Sequence, residues 1–155
     1  AEVYFFPGMG QSDVLSELTI QGKNSILIEM PGAPWTDAMY RELEQIYDRR
    51  SLLPIVAHVD RYIRPFRTHQ IPQRLEQLPV LVQANAEFFL ERATAAMALR
   101  MLKNGMIHLL GSDCHNLSDR SPNLDAALER IQKHLGSAPL EHIRFHERFV
   151  LEEER

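Results

Sequence analysis

Apolar and polar positions are arranged along this chain in two kinds of block. Five short blocks are rich in aliphatic, β-branched or aromatic residues: Glu2–Phe6, Ser25–Met30, Leu53–Val59, Val80–Ala84 and Met106–Gly111. They predict strands. Several are apolar without clean alternation, which suits strands covered by helices on one side and a packed interior on the other. The other blocks carry helical spacing. Asp37–Arg49 puts Met39, Leu43 and Ile46 on one face, with Tyr40 and Tyr47 nearby. Glu91–Lys103 repeats Ala95, Leu99 and Leu102, and Asn123–Leu135 repeats Leu124, Leu128, Ile131 and Leu135. A further helix over Leu140–Glu147 precedes a short run, Phe149–Leu151. Gly105 and Gly136 stand where helix C-caps belong.

The predicted order is β-α-β-α-β-α-β-α-β-α. Such alternation means an α/β fold with a parallel sheet and right-handed crossovers. Five parallel strands do not close a barrel, and a single-chain barrel usually needs about 250 residues. Two architectures remain: a small open doubly wound sheet, or a barrel whose first part is missing. Either leaves sheet edges to be covered. No internal repeat, low-complexity tract or linker interrupts the pattern. The segment Met30-Pro31-Gly32-Ala33-Pro34 predicts a loop after a strand, on the face where such folds keep their chemistry. The chain opens Ala1-Glu2 without methionine, which fits either removal of an initiator methionine or a piece of something longer.

Composition narrows the function. The chain has 155 residues, 45% hydrophobic and 25% charged, enough for one domain with a real core. A net charge of −4 without a basic block argues against nucleic-acid binding by counterion release. The single cysteine, Cys114, excludes an intrachain disulfide framework and fits a reducing, cytoplasmic setting. No apolar run reaches the length of a membrane span.

Candidate chemistry sits at two strand ends. Pro54-Ile55-Val56-Ala57-His58 stops at a histidine and continues to Arg61 and Tyr62. Ile107-His108-Leu109-Leu110-Gly111-Ser112 stops at Asp113-Cys114-His115-Asn116. Barrel enzymes keep their catalytic groups at these C-terminal strand ends. In extended backbone, residues i and i+2 point the same way, so Asp113 and His115 converge as ligands for Zn, Mn or Fe. The alternative is an Asp that caps the next turn with a His packed on it; His58 on a second strand end favours a metal. Glu2 is either near the same face or a solvated terminal residue. Arg61 and Arg120 each trail a ligand motif, and guanidinium forks match phosphate oxygens; a surface ion pair is the other reading of each. Asn116 orients a phosphate or caps the turn.

Cys114 and Arg120 are formally Cys-x5-Arg, the spacing of a cysteine phosphatase loop. Such loops use glycine to bring backbone N–H groups to the phosphate, and none lies between these residues. The adjoining Asp113 also disfavours a thiolate. The match is therefore set aside as coincidence. His108 is expected to fill the core or lumen. His142 and His146 have the i, i+4 spacing of a helical zinc clamp, but with nothing else to support a site they are expected to face solvent. Trp35 packs the loop after the second strand or walls a substrate cleft.

With these motifs assembled, the chain resembles the PHP family in its capsule-biosynthesis branch, the CpsB/CapC/YwqE type. A-H-V-D-R-Y (57–62) and S-D-C-H-N-L-S-D-R (112–120) are similar to two of its motifs. A-E-V-Y (1–4), I-L-I-E-M (26–30) and V-Q-A-N-A (82–86) resemble three further segments, in the right order. The resemblance implies part of a distorted (β/α)7 PHP-type barrel lacking its first strands, with residues 1–155 as its C-terminal portion. It implies Glu2, His58, Asp113 and His115 as metal ligands, with Arg61 and Arg120 as catalytic phosphate-binding groups assisted by Asn116. It implies Mn2+ as cofactor, with Fe or Zn as alternatives. The reaction would be metal-assisted hydrolysis of phosphotyrosine on the tail of a bacterial tyrosine kinase that controls capsular or exopolysaccharide synthesis, with homo-oligomerisation possible.

The family's opening H-x-H strand, the Asp soon after it and a further His are absent, and Asp60 stands where Glu is more usual. Weak metal binding and slow turnover by residues 1–155 alone are therefore expected. The alternatives are a PHP phosphoesterase acting on a small phosphate such as histidinol phosphate, and a non-catalytic barrel fragment that docks a kinase or oligomerises.

Overall fold

Five parallel strands, each hydrogen-bonded to the next in sequence, form the sheet: β1 (Glu2–Tyr4), β2 (Ser25–Glu29), β3 (Leu53–Val56), β4 (Leu81–Asn85) and β5 (Leu109–Gly111). The computed structural model describes residues 2–66, 70–113 and 123–151. The order β1-β2-β3-β4-β5 never reverses. A doubly wound sheet reverses at a switch point, so that alternative is excluded. All five predicted strands form. Four are shorter than expected: β1 ends at Tyr4, β2 at Glu29, β3 at Val56, and β5 begins at Leu109. Apolar residues beyond these ends pack as loop or helix, so hydrophobicity alone overstated the strands.

Helices α1 (Asp37–Arg50), α5 (Ala95–Lys103) and α6 (Leu124–Leu135) lie where periodicity predicts them. The final segment differs. A single helix, α7 (Ala138–Leu151), replaces the expected helix plus separate run, because Leu140, Ile143 and Val150 lie on one buried stripe. Three short helices carried too few turns to show a period: α2 (Asp60–Phe66), α3 (Gln70–Leu75) and α4 (Ala86–Leu90). Between β1 and β2 the chain makes 3-10 turns at Met9–Gln11 and Asp13–Glu17 rather than an α-helix. Gly136 caps α6 with φ 79° and Gly105 follows α5 with φ 76°, both as expected.

The register sorts the side chains into two faces. Ile26, Ile28, Val56, Val82 and Ala84 join the large core under the helices, with Leu43, Ile46, Phe89 and Ile131. Leu27, Ile55 and Leu81 are direct register partners on the other face, where Leu109 and Val150 of α7 complete a smaller cluster. Two residues further along the same face stand Glu29, Gln83 and Gly111. This second face is therefore apolar near the strand starts and polar toward the strand ends.

Candidate metal centre

Glu2 pairs with Leu27 in the sheet register, so its side chain shares the second face with Glu29. His58, just beyond β3, reaches the same place. Its Nε2 lies 2.9 Å from Glu2 Oε1 and 3.8 Å from Glu29 Oε1. One ligand atom from each of Glu2, Glu29 and His58 lies within 4.8 Å of the others. His58 is 2% exposed.

Backbone geometry at the site is costly. His58 (φ 33°) and Asp113 (φ 47°) are non-glycine residues in the left-handed region, which persists only where the surroundings enforce it. For His58 the enforcement is visible. Its N–H donates to Gln83 Oε1 at 2.8 Å, and Val59 N–H donates to the Gln83 carbonyl at 2.9 Å. Gly111 lies under the Gln83 side chain, so closely that a Cβ there would collide with the amide nitrogen.

The imidazole is fixed from behind. Met30 N–H donates to the Tyr62 oxygen at 2.8 Å, and that oxygen lies 3.2 Å from His58 Nδ1. Burial raises the Tyr62 pKa well above the usual phenol range, so the group remains a neutral phenol. Trp35 covers it, with ring centroids at 5.1 Å from Tyr62 and 5.5 Å from Tyr40, so Trp35 packs this wall as expected. Asp60 opens α2 and accepts from Asn85 N–H at 2.9 Å and Asn85 Nδ2 at 3.3 Å. Burial pushes the Asp60 carboxyl above its ordinary range.

Arg61 stands among the acids. Nη2 donates to Asp113 Oδ2, and Nη1 lies 3.7 Å from Glu29 and 3.3 Å from His58 Nε2. Two carboxylates, Glu29 and Asp113, thus flank one guanidinium, with Glu2 held against His58 beside them. That donor set, carboxylate oxygens plus one imidazole, suits a divalent transition metal, and the excess of acids over one arginine leaves charge for a cation to neutralise.

Of the residues singled out from sequence, Glu2, His58, Arg61 and Asp113 come together here. Cys114, His115, Asn116 and Arg120 lie outside the described residues. Sequence reasoning missed Glu29, although its segment was marked; a carboxylate ending the strand between those of Glu2 and His58 was the available signal. Tyr62 and Gln83 had no comparable signal, because their roles depend on tertiary contacts. One expectation is corrected. His142 and His146 do not simply face solvent; both are half-buried and pack with His108, which is also half-buried, at the opposite end of the sheet.

The profile of a family described as capsular polysaccharide synthesis, CpsB/CapC, matches residues 1–150. The tyrosine-protein phosphatase YwqE of Bacillus subtilis (strain 168) is 26% identical over 132 residues, covering 77% of this chain and 48% of that protein. The chain thus spans about half the length of that relative. A solved structure from work on YwqE of Bacillus subtilis and CpsB of Streptococcus pneumoniae, described as unique metal-dependent tyrosine phosphatases, superposes with a TM-score of 0.83 at 20% identity. It covers 99% of this chain and 64% of the other, and the likeness establishes a shared fold.

Proposed function

The chain belongs to the CpsB/CapC family of capsular polysaccharide synthesis proteins, and from that premise we propose that it hydrolyses protein phosphotyrosine with a divalent metal. The observation that carries this is the convergence of Glu2, Glu29 and His58 within 4.8 Å beside the Arg61 guanidinium. The descriptions of YwqE and CpsB as tyrosine phosphatases support it. Residues 1–155 are taken as one domain, the C-terminal portion of a PHP-type (β/α)7 barrel. The unreversed parallel order and the fold shared with that solved structure support the barrel reading. Mn2+ is the metal we favour, with Fe or Zn next, since mixed carboxylate and imidazole donors accept all three. The substrate we favour is the phosphorylated tail of a bacterial tyrosine kinase in the cytoplasm. No helix among the described residues is long and apolar enough to cross a membrane.

Glu2, Glu29 and His58 would hold the metal, with Asp113 and His115 completing the set. The bound metal supplies Lewis acidity toward phosphate oxygens and a nucleophilic water at neutral pH. The protein's own groups do the rest. Arg61 exchanges its bond to Asp113 for a two-pronged contact with the phosphate, and its fixed charge stabilises the negative charge that builds during transfer. Arg120 and Asn116 serve as a second phosphate arm. Tyr62 and the Gln83 amide hold His58 in its strained position, so that little reorganisation accompanies the reaction. Cys114 takes no part.

The test is hydrolysis of p-nitrophenyl phosphate and a phosphotyrosine peptide with added Mn2+. We expect slow hydrolysis, abolished by chelator and by Asp113→Ala and retained in Cys114→Ser. Chelator-resistant hydrolysis that vanishes in Cys114→Ser would overturn the proposal. So would the absence of hydrolysis with each of Mn2+, Fe2+ and Zn2+.

A further inference from the structure

We propose that His108, His142 and His146 form a second metal site, selective for an imidazole-preferring ion such as Zn2+, at the end of the sheet opposite the first. His108 immediately precedes β5, at the strand starts, whereas Glu29, His58 and Asp113 lie at or beyond strand ends. In a parallel sheet these are opposite ends. One ring nitrogen from each of the three histidines lies within 4.8 Å of the others. Ligands about 2.1 Å from a tetrahedral ion stand roughly 3.4 Å apart, so small side-chain rotations close the site.

Three details point to a ligand rather than to packing alone. His142 and His146 share one face of α7 by their i, i+4 spacing. His146 Nδ1 lies 2.9 Å from the His142 carbonyl. A carbonyl only accepts, so that nitrogen carries the proton and Nε2 keeps its lone pair, the arrangement in which a metal-binding histidine is oriented by its other ring nitrogen. His142 Nε2 is buried and has no hydrogen-bond partner among the described residues, and a buried polar atom of this kind is costly unless something binds it. The cluster also has an approach from solvent. His146 lines a cavity of about 770 Å3 together with Lys23, Tyr47, Phe145 and Phe149.

The donor set differs from that of the first site. Three imidazoles, with no carboxylate grouped with them among the described residues, favour Zn2+, Ni2+ or Cu2+ over Mn2+ or Mg2+. Burial and the two neighbouring imidazoles push the His108 pKa down to about 4, so no proton competes for its ring near neutrality. One contact must change. Val82 N–H donates to His108 Nδ1 at 3.1 Å, which occupies the lone pair of the neutral ring. Metal binding turns that ring or shifts its proton to Nδ1, and the Val82 amide loses its acceptor in either case.

The experiment is a Zn2+ and Co2+ titration of the 155-residue chain carrying Glu2→Gln and Glu29→Gln, which weaken the first site. Readouts are bound metal by equilibrium dialysis, the visible absorption of tetrahedral Co2+, and the Val82 amide resonance. One ion bound per chain, a Co2+ absorption band and a moved Val82 signal are expected. Adding His142→Ala, or separately His146→Gln, should lower Zn2+ affinity by an order of magnitude or more and remove the band. Because both residues are only half-buried on α7, at least one variant is expected to fold. Zn2+ binding unaffected by both variants, no bound metal in the parent, or a Val82 resonance that does not move would overturn the proposal.

Discussion

Replacing Tyr62 by phenylalanine removes one oxygen and leaves two buried polar groups without their partner. Met30 N–H loses its acceptor at 2.8 Å and His58 Nδ1 loses its neighbour at 3.2 Å. Both residues are almost fully buried, at 1% and 2% exposure. Leaving one such group unsatisfied costs about 1–3 kcal/mol. The ring itself keeps its contacts with Trp35 and His58, so packing contributes little. Because the two groups share one oxygen, their costs do not simply add, and we expect a total loss of about 2–4 kcal/mol. In a domain of this size that lowers Tm by roughly 5–15 °C. Urea unfolding in excess chelator measures the effect without a contribution from bound metal. Tyr47→Phe, at an exposed ring, is the control and should change little. A second readout is metal affinity by calorimetry, expected to fall on the order of 10–100-fold as His58 loses its orientation. A Tyr62→Phe protein within about 0.5 kcal/mol of the parent, a difference typical of surface substitutions, would refute the reasoning. The Tyr62 oxygen would then not be what holds Met30 and His58.

Three further outcomes follow from the same geometry. Arg61→Lys keeps the charge but loses the planar fork, so kcat/KM for a phosphotyrosine peptide should fall about 100-fold or more; parental kinetics would remove Arg61 from phosphate binding. Gly111→Ala pushes a Cβ into the Gln83 amide, whose oxygen holds His58 N–H. It should cost about 1–3 kcal/mol and, in a double-mutant cycle, couple strongly to Gln83→Ala; additive effects on urea unfolding would contradict the contact. In metal-free buffer, the folded His108 ring resists protonation until about pH 4, against 6.5 for the free ring. The unfolded chain therefore takes up the proton first, and stability is lost as pH falls through the window from about 6.5 to 4. The loss is on the order of 1–3 kcal/mol, and His108→Gln should remove that part of the slope in urea melts compared between pH 7 and 4.5.

Much of this architecture was legible along the chain. The apolar blocks located all five strands, and the helical repeats located α1, α5 and α6, because burial of one face imposes its period on the sequence. Strand ends were overstated where apolar residues such as Ala57 and Val59 continue beyond the hydrogen-bonded ladder. Helices α2 and α3 fill the helical slot between β3 and β4 that the alternation implied without a range, and α4 was missed, because one or two turns do not establish a period. At the site, His58, Arg61 and Asp113 stood out because ligand-type residues interrupt an apolar run.

What the sequence determined by itself was the alternation of strand and helix, the parallel sheet, and the strand ends at which ligand-type residues stand. These depend on local periodicity and on where apolar runs stop. Only the tertiary structure decided the rest. The register of β1 against β2 brought Glu2 and Glu29 onto one face with His58, and the unreversed strand order excluded the doubly wound alternative. The crossing of α7 over the strand starts gathered His108 with His142 and His146, more than thirty residues away in the chain. Such groupings depend on which distant surfaces pack together, and linear spacing holds no record of that.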